Sequence, residues 1–248
     1  MIDLHAHILP GLDDGARTLA DSRELARTAV EDGVRSIAAT PHVRADYPTS
    51  VEAMEAGVAS VRRDLEEHGI EIEVLHGGEI AVDRLEDLSR EELERFTLGQ
   101  TGRYLLVEFP YTSWPLGLEQ RLFELRMAGL ESILAHPERN REVQADPARI
   151  EPLVAAGTLV QLTAASLDGR IGRSSQMAAE SLLSRGLAHL IASDAHLPEI
   201  REVGMAAAAA CIRDQGLARW LVEDAPAAIA AGDPVPARPK RRKRRFGL

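Results

Sequence analysis

The chain repeatedly switches its hydrophobic period. Seven short apolar runs, at 2–5, 34–40, 70–75, 104–108, 132–135, 158–162 and 189–192, read as strands. Between them lie longer stretches with helical spacing, among them 18–32, 51–68, 116–128, 147–156 and 176–185. Five junctions repeat one device: Gly33-Val34, Gly69-Ile70, Gly129-Leu130, Gly157-Thr158 and Gly186-Leu187 place a helix-capping glycine directly before the next strand. Strands that alternate with helices pair in parallel through helical crossovers. Seven such units predict one α/β domain closed into a barrel, with an open sheet as the alternative. A length of 248 residues suits that prediction, since α/β barrels run to about 250.

After Asp224 the composition turns to Pro, Ala and Gly and then to a basic run. The predicted organisation is therefore a barrel over 1–224, with a Pro/Ala-rich linker and a disordered basic tail over 225–248. The net charge of −10 hides this split: residues 238–248 carry five Arg, two Lys and no acid. The body is left with 22 basic against 39 acidic groups, which argues against nucleic acid on its surface. The apolar stretch near 204–211 is too short to span a bilayer, and no signal-peptide core follows Met1. A cytoplasmic protein is expected. The single cysteine, Cys211, excludes an internal disulfide and a thiolate metal cluster.

Chemistry in such barrels collects at the C-terminal ends of the strands. The polar residues fall there with a consistent pattern. Strand one ends in His5 and His7, strand two in Thr40-Pro41-His42, and strand three runs into Gly77-Gly78-Glu79. Strand four ends at Glu108, strand five at His136-Pro137-Glu138-Arg139, and strand seven at Asp194 and His196. Only strand six, near Gln161, offers no strong ligand. A two-residue spacing points both side chains of a His-x-His or Asp-x-His pair to one face. Imidazole and carboxylate together suit Zn, Mn or Fe. Asp13 and Asp14 read equally well as a turn. His68 is expected at a helix end, His189 in the core, and His76 remains ambiguous.

Five segments resemble the PHP (polymerase and histidinol phosphatase) superfamily, in particular its bacterial tyrosine-phosphatase branch of the CpsB/YwqE type. They are IDLHAHILPGLDDG (2–15), ATPH (39–42), EFP (108–110), HPER (136–139) and ASDAH (192–196). The resemblance covers the whole body and implies a distorted seven-stranded (β/α)7 PHP barrel. It implies metal ligands at His5, His7, Asp14, His42, Glu79, Glu108, His136, Asp194 and His196, choosing Asp14 over Asp13. Three divalent ions are expected, manganese first with iron or zinc as alternatives, and Glu79 as the bridging carboxylate. Arg139 and Arg201 match positions where the family contacts phosphate. Two departures concern the substrate rim: Gly78 stands where a polar residue is common, and Ala81 where arginine is.

The resemblance implies a metal-dependent protein-tyrosine phosphatase acting on the tail of a bacterial tyrosine autokinase in capsule or exopolysaccharide synthesis. A cysteine-based phosphatase is excluded, because the Cys-x5-Arg loop would need arginine where Leu217 stands. Two other classes compete: a phosphoesterase for a small metabolite such as histidinol phosphate or a nucleotide, and a non-catalytic metal-binding module. Tyr111 and Trp114 either wall the phosphotyrosine ring or pack their loop onto the barrel. The basic tail is a solvated end, a weak anchor to anionic lipid at the inner membrane face, or a contact with an acidic partner, nucleic acid or the enzyme's own body.

Overall fold

The structure, a computed structural model, describes residues 1–197 and 203–240. Each predicted run contains a strand: β1 (Ile2–Ala6), β2 (Ser36–Ala39), β4 (Glu73–Leu75), β6 (Tyr104–Glu108), β7 (Glu131–Leu134), β8 (Leu159–Thr163) and β9 (Leu190–Ala192). Two further short strands, β3 (His42–Val43) and β5 (Glu79–Ala81), follow breaks at Thr40-Pro41 and His76-Gly77-Gly78. The nine strands form two parallel sheets, ordered β1-β2-β4 and β3-β5-β6-β7-β8-β9. The sheets meet where β1 passes the end of β9: His7 N–H donates to the Ala195 carbonyl and Asp194 N–H to that of His5, both at 2.8 Å. The result is one α/β domain with a curled parallel sheet. The predicted strands end at 40 and 75, so the sequence pattern does not predict the short strands β3 and β5 that follow. Proline at 41 lacks a ladder donor, and Gly77 and Gly78 let the chain pass close to Leu98 and Phe96.

The helices outside the sheet form for local reasons. Helix Leu19–Glu31 starts at a capping box between Thr18 and Asp21 and buries Ser22, Leu25, Ala26 and Ala29, one stripe at helical spacing. Helix Val51–Glu67 starts at Ser50 and buries Val51, Met54, Val58, Val61 and Leu65. Gly186 ends helix Arg173–Arg185 in the left-handed conformation, and the other four junction glycines share its positive φ. No helix among the described residues is long and apolar enough to cross a membrane.

The C-terminal segment departs from the predicted linker. Residues Ala225–Ala230 form a helix with Ala225, Pro226 and Ile229 buried. The chain after it is held by hydrogen bonds to its carbonyls: Tyr104 Oη donates to Asp233 (2.7 Å) and Trp220 Nε1 to Pro236 (3.0 Å). Arg238, counted above with the tail, donates to the carbonyls of Ala188 and Leu183 at 2.8 and 2.9 Å. The small side chains that make this stretch look like a linker let it lie close against the body of the domain. Residues 241–248, with most of the basic run, lie outside the described residues.

Candidate metal centre

The strand ends bring all nine predicted ligand residues into four overlapping groups, in each of which the donor atoms lie within 4.8 Å of one another. They are His7, Asp14, His42 and His196; His5, Glu79 and His136; His5, His7 and Asp194; and His42, Glu79 and Glu108. All are buried except Asp14, whose loop is open to solvent. Glu79 lies at the middle, fully buried. Its Oε1 is 2.8 Å from His136 Nε2, and its Oε2 is 2.9 Å from His42 Nδ1, 3.3 Å from His5 Nε2 and 3.4 Å from His7 Nε2.

Two positions in this centre carry unusual backbone. His136 (φ 34°) and Asp194 (φ 52°) are two of three non-glycine residues with positive φ among those described. Such strain persists only where the surroundings enforce it. The strand-period argument therefore holds for His5 and His7 but not for Asp194 and His196. Strand β9 ends at Ala192, and a turn at Asp194 aims those side chains instead.

Three residues that the sequence pattern leaves unassigned orient the ligands. Asp13 Oδ2 accepts from His7 Nδ1 at 2.7 Å and from the His42 N–H at 3.0 Å, and Oδ1 accepts from the Gly15 N–H. Gln161, on the strand without a ligand, accepts from His5 Nδ1 at 3.0 Å. Asp3, buried below the centre, accepts from the Ser193 and His5 N–H groups. Gly15 lies so close to the His7 backbone that a Cβ would stand 2.1 Å from its carbonyl oxygen. The one available signal was the doubled aspartate, because an Asp-Asp-Gly turn has no need of two carboxylates. Gln161 and Asp3 had none.

This arrangement tests whether the donor set fits a cation. With Nδ1–H of His5 and of His7 committed to Gln161 and Asp13, both Nε2 atoms carry lone pairs, and they face each other at 3.2 Å. His42 Nδ1 and Glu79 Oε2 are buried with no hydrogen-bond partner despite their proximity. Imidazole nitrogens and carboxylate oxygens converging in one buried space fit a divalent ion, and five imidazoles with four carboxylates suit a borderline-hard metal.

Electrostatics differ across the centre. Glu108 is pushed up to about 7 by burial and by the neighbouring Glu79. Burial lowers His136 to about 4, so its ring is neutral and able to donate a lone pair. Arg139 reaches the centre, with Nη1 2.7 Å from Asp194 Oδ2 and its guanidinium 4.5 Å from the Tyr111 ring centre. Arg201 lies outside the described residues. Trp114 packs its loop down: it meets Phe109 edge-on, and its backbone N–H donates to Glu142. Phe96 occupies the space beside Gly78, where a Cβ would stand 2.6 Å from the ring.

Residues 1–223 match the family model described as capsular polysaccharide synthesis, CpsB/CapC. The chain belongs to the CpsB/CapC family. Its relatives include the tyrosine-protein phosphatase YwqE of Bacillus subtilis, 39% identical over 79% of this chain and 77% of that one. Another is the putative tyrosine-protein phosphatase CapC of Staphylococcus aureus, 33% identical over the same shares. A solved structure described as YwqE from B. subtilis and CpsB from Streptococcus pneumoniae, unique metal-dependent tyrosine phosphatases, superposes with a TM-score of 0.86. It is 32% identical and covers 97% of this chain and 100% of that one. The CpsB/CapC assignment thus rests on sequence and on fold together.

Proposed function

We propose that this CpsB/CapC chain is a metal-dependent protein-tyrosine phosphatase. The observation that carries this reading is the buried set of converging lone pairs around Glu79, with Arg139 at its edge. It is supported by the activity named for YwqE. The two breaks at 40–41 and 76–78 are then interruptions of single passes, so that β2 with β3 and β4 with β5 complete a distorted (β/α)7 barrel.

His5, His7, Asp14, His42, Glu79, Glu108, His136, Asp194 and His196 would hold three divalent ions, manganese first, with Glu79 shared among them. Such ions, when bound, supply Lewis-acid charge and acidify water at neutral pH. The chain's own groups do the rest. Arg139, fixed by Asp194 and the Tyr111 ring, neutralises phosphate oxygens as charge develops on them, with Arg201 in the same role. Burial pushes the Tyr111 phenol up, so it stays protonated and serves as a wall beside His136 and Arg139. Asp13 and Gln161 hold the His7 and His5 rings with Nε2 inward. A phenolate leaving group with pKa near 10 needs little protonation, so no general acid is assigned. The physiological substrate is the phosphotyrosine tail of an autokinase in polysaccharide synthesis, met in the cytoplasm at the inner membrane face.

The test joins elemental analysis of the purified protein to a substrate panel with and without Mn²⁺. Phosphotyrosine peptides and p-nitrophenyl phosphate should turn over fastest, in a metal-dependent manner. Faster hydrolysis of histidinol phosphate or a nucleotide would replace this reading with the metabolite phosphoesterase. An unchanged rate in His136→Ala would remove the enzyme reading.

A further inference from the structure

A cavity of about 630 Å³ opens directly from the centre, sharing Glu108 and Tyr111 with it. Its walls follow β5 and β6: Val82 on one side, and Phe109, Tyr111, Trp114 and Leu116 on the other. Cavities of about 300–1,000 Å³ enclose most of a drug-sized ligand, and a single phenyl ring beside Tyr111 leaves much of this one vacant. Its rim cations do not favour an acidic occupant. Arg44 is paired with Asp46 at 2.8 Å and reaches Glu108 at 3.5 Å, while Arg121 is paired with Glu86 at 2.8 Å. Asp46 and Asp83 add negative charge at the same rim. What remains unsatisfied is apolar: Leu116 is 93% exposed and Tyr111 38% exposed at the mouth. Isolated exposed apolar residues need no explanation, but these two border an aromatic-walled cavity continuous with the reaction centre.

We propose that this cavity is a substrate subsite that takes an apolar or aromatic side chain adjacent in sequence to the phosphotyrosine, closed on its outer side by Leu116. The proposal rests on the tyrosine-phosphatase reading and deepens it: the substrate is a peptide read at two side chains, not an aryl phosphate alone. Burying part of a leucine-sized side chain is worth roughly a factor of five to ten in kcat/KM.

The test uses the metal-loaded full chain and three phosphotyrosine peptides, with leucine, glycine or aspartate on both sides of the phosphotyrosine. The leucine peptide should be favoured about fivefold or more, through KM. Leu116→Ser and Leu116→Asp, both at a solvent-exposed position, should collapse that ratio toward one. A wild-type ratio near one, a preference for aspartate-flanked peptides, or a ratio kept in both variants would overturn the subsite. Hydrolysis of p-nitrophenyl phosphate by the wild type, measured alongside, separates the outcomes. If it proceeds while the ratio is flat, only the subsite fails; if it is absent, the phosphatase reading fails and the subsite with it.

Discussion

Histidines at the two ends of the curled sheet meet different fates. At the carboxyl ends of the strands, five buried imidazoles turn toward one another and toward carboxylates. At the opposite end His189 stands just before β9, half-buried and close to Trp220 and Arg238. Its Nδ1 accepts from the Val160 N–H at 3.1 Å, and its own N–H donates to the Val160 carbonyl. A protein can satisfy one histidine with its own backbone. The five rings at the other end have mainly one another and carboxylates as neighbours, an arrangement that a bound cation would satisfy.

Removing the cation should show the difference at full size. Dialysis of the metal-loaded protein against a chelator should abolish aryl phosphatase activity and lower Tm, because binding to the folded state alone stabilises it. Glu79→Ala, which removes the carboxylate common to two of the donor groups, should lose metal in elemental analysis and activity by more than about a thousandfold. Activity that survives both would show that the facing imidazoles are ordinary core residues like His189.

Next in size is Arg139→Ala, with an expected loss of about a hundredfold in kcat, the usual effect of removing one transition-state donor. Metal content should be retained, which distinguishes it from the ligand variants. Asp13→Asn should cost about ten- to a hundredfold in metal affinity by titration calorimetry. It leaves His7 in place but removes the charge that orients the ring. Unchanged metal affinity in Asp13→Asn would remove the orienting role given to Asp13.

The part of this contrast legible in the sequence was the part written in residue type at strand ends. His5, His7 and Glu108 follow their apolar runs directly, so strand placement aims them, while His136 is aimed by its left-handed backbone just past β7. Asp13 and Asp14 are adjacent and identical, and only the fold of their loop shows that one faces His7 and the other His42 and His196. Gln161 orients His5 through a neutral amide that has no compositional signal. The break that precedes β5 depends on how Phe96 and Leu98 fill the space beside Gly77 and Gly78, a long-range contact no local pattern encodes. At the other end, the segment from Ala225 to Arg238 reads as a linker because its anchors are backbone carbonyls, which every residue possesses.

The smallest effect belongs to His189 and tests the structural end of the comparison. Burial, helped by the charge of Arg238, lowers its pKa to about 4, against an unfolded value near 6.5. Between those values the unfolded chain binds a proton that the folded chain refuses, so stability falls as pH drops from about 6.5 toward 4 and is unaffected above that window. At pH 5 the penalty is about 1–2 kcal/mol for this half-buried group. Urea unfolding at pH 7.5 and pH 5 measures it. His189→Gln keeps an acceptor for the Val160 N–H but cannot titrate, so its stability should drop less between the two pH values by that amount. Arg238→Ala should shrink the same drop in part, by removing the neighbouring positive charge. An identical pH dependence in wild type and His189→Gln would show that His189 titrates normally, and that the C-terminal segment does not seal this end of the sheet.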